Sequence, residues 1–526
     1  MITRHRLELL LLVSAVGISR FAFRSHDLYD LDSVDFALAI QRFDPRVYQP
    51  HPPGYFLYIL LGRLINFVVR DANLALVLLS IAASCGVIVL IYKMAMDWFG
   101  PREAMFSSLL FLFSPLAWFH GIVALTYSVE AFFSALLGYL CWRVECGALE
   151  LIVPAGVALG ISAGVRQSSL LFLGPIFLFS LRYVPRKRQF AGVGAVVLTV
   201  ALWFFPMIWA SGGFSTYFGA LESLWRLVPG QDTLFNSSPA TSIARAFTVA
   251  LIYLITYGVA SFIPFCVSDS LWPEDRRKQI FTLVWIAPAL FFFTFIFFKF
   301  VNSGYLLLLV APGCLWLGYW ASQWYGRSRL KRITKLALMG VGAAVNVLVF
   351  VASPFYSSYR SVRHFEKELD AIRIALPQVG SPSDTLIIGF DAHFLGYRHA
   401  GYYFPSYYVF EYPQVSLLEG TRIFSMSQRD TSLLAGLPAG TYSKFIFFPL
   451  PVGDDSNRKY LQKVEEQVPG KSLHTVQSGG VEFVTGSIED LPLLFPQADS
   501  GSKLGVYPQI HFGSEAVNSR EHRSAN

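Results

Sequence analysis

Residues 151–181 read LIVPAGVALGISAGVRQSSLLFLGPIFLFSL, an apolar run with one full charge, Arg166, at its centre. A helix rises about 1.5 Å per residue, and about 20 apolar residues cross the roughly 30 Å of bilayer hydrocarbon, so the run is too long for one crossing. A lone guanidinium at mid-membrane is also expensive. Two short helices meeting near Arg166 remove both problems. They place Arg166 at one membrane face and Arg186, Lys187 and Arg188 at the other.

Similar windows recur from Leu7 to about Ala352 and then stop. With 54% hydrophobic, 16% aromatic and 15% charged residues over 526 positions, the chain is too apolar for a soluble protein of that size. Its basic clusters, at Arg4 and Arg6, Lys93 and Arg102, Arg182 to Arg188, Arg276 to Lys278 and Arg327 to Lys335, fall between windows. The positive-inside rule makes those loops cytoplasmic, so the net charge of +7 speaks for topology rather than nucleic-acid binding. For all of them to share one side, Tyr55 to Val69 must lie in the outer interface. It carries Arg63 and Asn66 and is only about 22 Å long as a helix.

About eleven spans follow, near 7–24, 74–96, 104–120, 127–144, 151–165, 168–182, 190–210, 243–266, 280–298, 303–324 and 333–352. The expected fold class is a polytopic α-helical membrane protein with a small C-terminal extracytoplasmic α/β domain. The membrane domain covers 1–352, the α/β domain 353–496 and a polar, disordered tail 497–526. Arg4, His5 and Arg6 precede the first window with no cleavage site after it, which reads as an uncleaved anchor with a cytoplasmic N-terminus. Cys85, Cys141, Cys146, Cys266 and Cys314 lie in or beside windows without CxxC or metal spacing.

This topology leaves three outer segments in which chemistry is to be sought: residues 25–73, 120–130 and 211–245. The first contains Asp30-Leu31-Asp32-Ser33-Val34-Asp35-Phe36 and, further on, Gln49-Pro50-His51-Pro52-Pro53-Gly54-Tyr55. Asp32 and Asp35, three apart, share a helix face, while Phe36, Ile40 and Phe43 form an apolar stripe. Asp32 reads equally as an N-cap, with Asp35 near the positive end of a short surface helix, or as a general base at the membrane boundary. The prolines after His51 make a rigid corner that would hold His51 near Asp32. Glu130 opens a span, where an acid offsets the helix dipole. Lys299, Asn302 and Tyr305 stand at an outer boundary, and Lys299 with Arg166 offers the cations that a phosphate-linked lipid needs.

These residues, in this order, resemble a family. An acidic motif in a long first outer loop, a Pro-Pro segment about twenty residues later, Trp98-Phe99-Gly100, Phe113-Ser114-Pro115 and then an acid look like the GT-C polyprenyl-phosphate-sugar glycosyltransferases. Protein O-mannosyltransferases and the aminoarabinose transferase of lipid A belong to that group. Gly164-Val165-Arg166-Gln167 and Gly304-Tyr305-Leu306-Leu307 leading to Pro312 resemble its later motifs, and His51-Pro52-Pro53-Gly54-Tyr55 is similar to an element of one O-mannosyltransferase-like branch. The likeness covers roughly residues 7 to 330.

The resemblance implies a GT-C fold in the cell (inner) membrane and transfer of a sugar from a polyprenyl-phosphate donor to a lipid, glycan or protein hydroxyl. It implies Asp32 as the catalytic carboxylate, although Ser33 stands where the family's Asp-Glu pair has its second acid and Asp35 supplies one a turn later. His51, Glu130, Arg166, Lys299 and Tyr305 become expected substrate-binding residues. The reading names no definite cofactor and leaves room for a divalent cation at the acidic motif. A transporter or flippase for a lipid-linked sugar is the rival, but it calls for paired repeats and mid-membrane charges, and neither is seen. A scaffold with Asp32 as a helix cap is the other.

Beyond Ser353, the runs at 384–390, 444–448 and 481–484 read as buried strands, with helices over 362–376 and 458–468. The aromatic run from Tyr402 to Tyr412 reads as a strand that packs against the membrane domain, or less readily as a sugar platform.

Overall fold

The computed structural model describes residues 4–45, 49–227, 275–296, 300–354, 357–390, 392–412, 442–449 and 473–490, with scattered positions between 247 and 258. The chain divides into two compact units. One takes Met1–His26, Pro53–Phe214 and Gln231–Val362; the other takes Asp27–Pro52, Ser215–Gly230 and Arg363–Asn526.

Helices and the turns between them make up the described part of the first unit. Among the described residues, five helices are long and apolar enough to cross a membrane: Ala72–Trp98, Arg186–Ala210, Arg276–Ile296, Ser303–Arg327 and Arg332–Ala352. The windows near 7–24, 127–144, 151–165 and 168–182 are helical too, at Arg4–Ala22, Tyr127–Glu145, Ile152–Val165 and Ser169–Ser180. The run at 151–181 divides at Arg166, which caps the first of its two helices, its amide 2.8 Å from the Ser162 carbonyl. The window at 104–120 differs from expectation, being two helices, Pro101–Leu112 and Pro115–His120. Ser114 N-caps the second, with its Oγ 3.2 Å from the Ala117 amide, and Pro115 has no amide with which to continue the first. Most of the expected span at 243–266 lies outside the described residues.

Close packing around Arg166 comes from glycines spaced by four. A methyl at Gly156, Gly160 or Gly164 would run into the Gly192 carbonyl, the Thr199 side chain or Leu57 respectively. Without those methyls the helix Arg186–Ala210 lies near enough for Trp203 Nε1 to donate to the Gly160 carbonyl at 2.9 Å. At the other end of these helices, loops expected on one side meet. Arg182 Nη2 is 2.7 Å and Arg277 Nε 3.8 Å from Oε2 of the buried Glu145, and Lys278 donates to the Trp98 carbonyl at 2.8 Å.

The second unit contains five strands, β1 (Thr385–Phe390), β2 (Val409–Tyr412), β3 (Lys444–Phe447), β4 (His474–Ser478) and β5 (Val481–Ser487). They form one sheet in the order β2-β1-β3-β5-β4. β1 is parallel to β2 and β3, and β5 is antiparallel to β3 and β4. Apolar sequence marked β1, β3 and β5 in advance; β4 is largely exposed and carries no such signal. Gly479 and Gly480 join β4 to β5 with φ of 56° and 79°, the left-handed pair of a type I′ hairpin. The helix Tyr359–Val379 buries Phe365, Leu369, Ile372 and Leu376 at helical spacing. The helix expected over 458–468 and the tail beyond 496 lie outside the described residues.

The aromatic run does not form one strand. Tyr402 and Tyr403 end a short helix, Tyr397–Tyr403; a turn containing Pro405 follows, and only Val409–Tyr412 is extended. Proline lacks the amide that either a helix or a central strand would require there. Gly389 lets the short helix approach β1, since a methyl at that position would press on the Tyr397 backbone. The same helix anchors the segment that begins at Asp27. The Tyr403 hydroxyl accepts from the Leu28 amide at 2.7 Å, and His399 Nε2 donates to the Leu28 carbonyl at 3.2 Å. The Leu31 amide donates to the His393 carbonyl at 2.9 Å, and Arg373 pairs with Asp27 at 2.6 Å.

Candidate functional site

Two groups of polar side chains stand out, one in each unit. The acidic group, in the second unit, starts with the helix Leu31–Gln41. Asp30, rather than Asp32, is its N-cap: Asp30 has extended backbone angles, and its side chain accepts from the Asp32 amide at 2.9 Å. The helix begins two residues earlier than the capping alternative required, which leaves the Asp32 carboxylate for other work. Nor is this a surface helix, because Val34, Phe36, Ala37 and Ile40 are buried and the Asp35 side chain is 2% exposed.

Residues 32 and 35 do share a face, and it is turned toward His51. Nδ1 of His51 lies 3.3 Å from Asp35 Oδ2 and 3.6 Å from Asp32 Oδ1. Carboxylates only accept, so the ring proton sits on Nδ1. Asp35 Oδ1 accepts from Arg398, whose Nε donates to the Tyr397 hydroxyl at 2.8 Å. Both Asp35 oxygens are thus engaged, whereas the Asp32 side chain is 30% exposed. Burial pushes the Asp35 carboxyl above the usual carboxylate range, with Arg398 and then His51 opposing it. For His51, burial opposes the charged ring, but Asp32 and Asp35 together outweigh it, so the imidazole holds its proton to higher pH than usual. Burial first, and Asp32 second, raise Asp30 strongly.

Ligand atoms of Asp32, Asp35 and His51 all lie within 4.8 Å of one another, a span that one divalent ion could bridge. The fit is poor as it stands. Arg398 already supplies a cation to Asp35, and a proton occupies His51 Nδ1, the atom that would have to coordinate.

The second group belongs to the first unit and centres on Arg166, which is 6% exposed. Its guanidinium carbon lies 4.1 Å from the Tyr305 ring centroid, 4.9 Å from that of Tyr127 and 5.8 Å from that of Tyr55. Nη1 is 3.3 Å from Thr126 Oγ1 and 3.6 Å from Glu130 Oε2. Glu130, 1% exposed, also accepts from Ser169 Oγ at 3.3 Å, so it does more than offset a helix dipole. Such a buried pair loses roughly 3–5 kcal/mol when one partner is removed. His120 packs beside them, its ring 4.8 Å from that of Tyr127 and neither nitrogen hydrogen-bonded among the described residues. A cation held by aromatic faces and one carboxylate can receive a phosphate oxygen.

Of the residues singled out by sequence, Asp32, Asp35 and His51 come together in one unit, and Glu130, Arg166 and Tyr305 in the other. Lys299 lies outside the described residues. Sequence reasoning missed Arg398, which sits 363 residues from Asp35 in a segment without a local motif.

Comparison with known proteins bears on this arrangement. A sequence model of the protein O-mannosyl-transferase TMEM260 N-terminal domain matches residues 45–189, a stretch that includes His51, Glu130 and Arg166 but not Asp32 or Asp35. The structure of ArnT from Cupriavidus metallidurans bound to undecaprenyl phosphate superposes with a TM-score of 0.56 at 14% identity, over 90% of this chain and 97% of that one. Its apo state gives 0.55 at 12% identity, over 93% and 99%. The fold is that of the GT-C glycosyltransferases. The resemblance read from the motifs therefore agrees with the fold and with the family-model match, and five of the described helices are long and apolar enough to cross a membrane. The oligosaccharyltransferase of Archaeoglobus fulgidus also matches, at 12% identity over 84% of this chain and 67% of that one, but its TM-score of 0.47 is too low to argue from. No curated protein matches the sequence.

Proposed function

We propose that this protein transfers a sugar from a polyprenyl-phosphate donor to an acceptor hydroxyl at the outer face of the cell membrane, with inversion and with Asp32 as general base. It crosses the membrane about eleven times, N-terminus inside and C-terminal region outside, with residues 1–352 as the membrane domain, 353–496 as the extracytoplasmic α/β domain and 497–526 as a tail. The convergence of Arg182, Arg277 and Lys278 at one end of the helical unit supports that sidedness.

The observation that carries the reading is the difference between the two acids. Asp35 is buried and bonded at both oxygens, while Asp32 is part-exposed beside His51. Asp32 takes the proton of the acceptor hydroxyl; the acceptor oxygen bonds the anomeric carbon from the face opposite the phosphate; the bond from that carbon to the phosphate oxygen breaks. The lipid phosphate departs as an anion, so no acid has to protonate it. Arg166, with Glu130 and Tyr305 around it, supplies the positive charge for that phosphate, and Lys299 adds a second cation. ArnT bound to undecaprenyl phosphate supports a lipid-phosphate donor, and the O-mannosyl-transferase match supports a hydroxyl acceptor and a hexose. Lipid, glycan and protein all offer such hydroxyls.

Transfer of labelled sugar from polyprenyl-phosphate donors in membranes tests this, at matched expression of wild type and Asp32→Asn. Loss of a general base lowers the rate roughly 10²–10⁴-fold. Asp32→Asn that transfers at the wild-type rate would remove Asp32 from the mechanism.

A further inference from the structure

No residue beyond Tyr305 takes part in the chemistry above, yet the most buried contact of the acidic group is made by the short helix Tyr397–Tyr403. Arg398 is 6% exposed and points its guanidinium at a carboxylate that is itself 2% exposed. The arginine is fixed from behind. Tyr397 accepts from its Nε, and the Tyr397 ring centroid lies 5.2 Å from the guanidinium carbon. The helix bearing it is tied to the acidic segment at two further points, through Tyr403 and His399 to Leu28, and it reaches that place because Gly389 clears the way.

We propose that Arg398 is a positioning residue of the transfer site: it holds Asp35, and Asp35 in turn holds the His51 imidazole against the base Asp32. The chain of contacts is continuous, from the Arg398 guanidinium to Asp35 Oδ1, from Asp35 Oδ2 to His51 Nδ1 at 3.3 Å, and from Nδ1 to Asp32 Oδ1 at 3.6 Å. Each link limits the next. With Oδ1 held by a charged donor, the Asp35 carboxylate is restrained from rotating, so Oδ2 keeps one direction in which to accept from the ring. A small shift at a reacting carboxylate is costly, because a misplacement of about 1 Å can lower a rate about 10²-fold. The segment that runs from β1 through the helix Tyr397–Tyr403 is therefore part of the site rather than an appendage. The inference rests on the reading of Asp32 as the base.

The test compares full-length protein carrying Arg398→Gln, Arg398→Lys, Asp35→Asn and the double change Asp35→Asn with Arg398→Gln, using kcat and KM for the polyprenyl-phosphate sugar donor. Arg398→Gln should lower kcat at least tenfold with donor KM unchanged. Arg398→Lys, which keeps the charge, should recover most of the loss. The double variant should be no slower than the slower single one, because Arg398 acts only through Asp35. Wild-type kcat in Arg398→Gln, or losses that multiply in the double variant, would overturn the proposal. If the wild type itself transfers nothing, the transfer reading fails on its own account. The contact chain is then read by the ¹⁵N resonance of His51, assigned with His51→Gln: a shift in Arg398→Gln but not in Arg398→Lys upholds it, and an unmoved resonance sinks it.

Discussion

His399 offers a measurable link between pH and the integrity of the acidic segment. Its Nε2 donates to the Leu28 carbonyl, which fixes the neutral tautomer, and its Nδ1 is buried without a hydrogen bond among the described residues. Burial pushes this imidazole down to about 3 from 6.5, with Arg398 nearby acting in the same direction. A histidine whose folded pKa is depressed stabilises the fold fully above its unfolded pKa, and the stability drains away as pH falls toward the folded value. The whole gap is worth about 5 kcal/mol, at about 1.4 kcal/mol per unit. Between pH 7 and pH 5 the loss is about 2 kcal/mol, which raises the population of the opened segment about twenty- to thirtyfold. His399→Gln retains a donor for Leu28 but cannot take up the proton. Hydrogen exchange of peptides spanning 27–45 and 385–404, corrected for intrinsic rates, should show wild-type protection falling by that factor relative to His399→Gln between the two pH values. Asp35 and His51 also titrate, but they are present in both proteins and cancel in the difference. Parallel pH dependence in the two proteins would refute the argument that a neutral, buried His399 secures this segment.

Two further outcomes are expected. Arg166→Lys keeps the charge but gives up the planar face against Tyr305 and Tyr127; a desolvated contact of that kind is worth about 1–2 kcal/mol, so polyprenyl phosphate should bind about tenfold more weakly in a fluorescence titration. Equal affinity would show that the rings do not contribute. Gly389→Val places a branched side chain against the Tyr397 backbone, and overpacking of about 1–3 kcal/mol should lower the melting temperature of the detergent-purified protein and slow transfer with it. A variant that melts and transfers like wild type would mean that the helix Tyr397–Tyr403 does not depend on that close approach.

What the sequence by itself determined was periodic or local. Apolar windows marked the helices, Arg166 marked the break in the run at 151–181 because a charge cannot sit in hydrocarbon, and short apolar runs marked β1, β3 and β5. The spacing of Asp32 and Asp35 and the proline corner after His51 were enough to bring those three residues into one expected cluster. Local pattern could mislead by two residues, as when Asp30 rather than Asp32 proved to be the cap, or by an element, as when Ser114 with Pro115 and the turn at Pro405 interrupted runs that looked continuous. The partners were another matter. Tyr305 against Arg166, and Arg398 against Asp35, join positions with no shared period or motif, and an arginine in a polar, soluble-looking segment reads like any surface cation. Only the tertiary fold shows that it is buried, because burial of a charge is decided by which distant carboxylate the backbone brings to meet it.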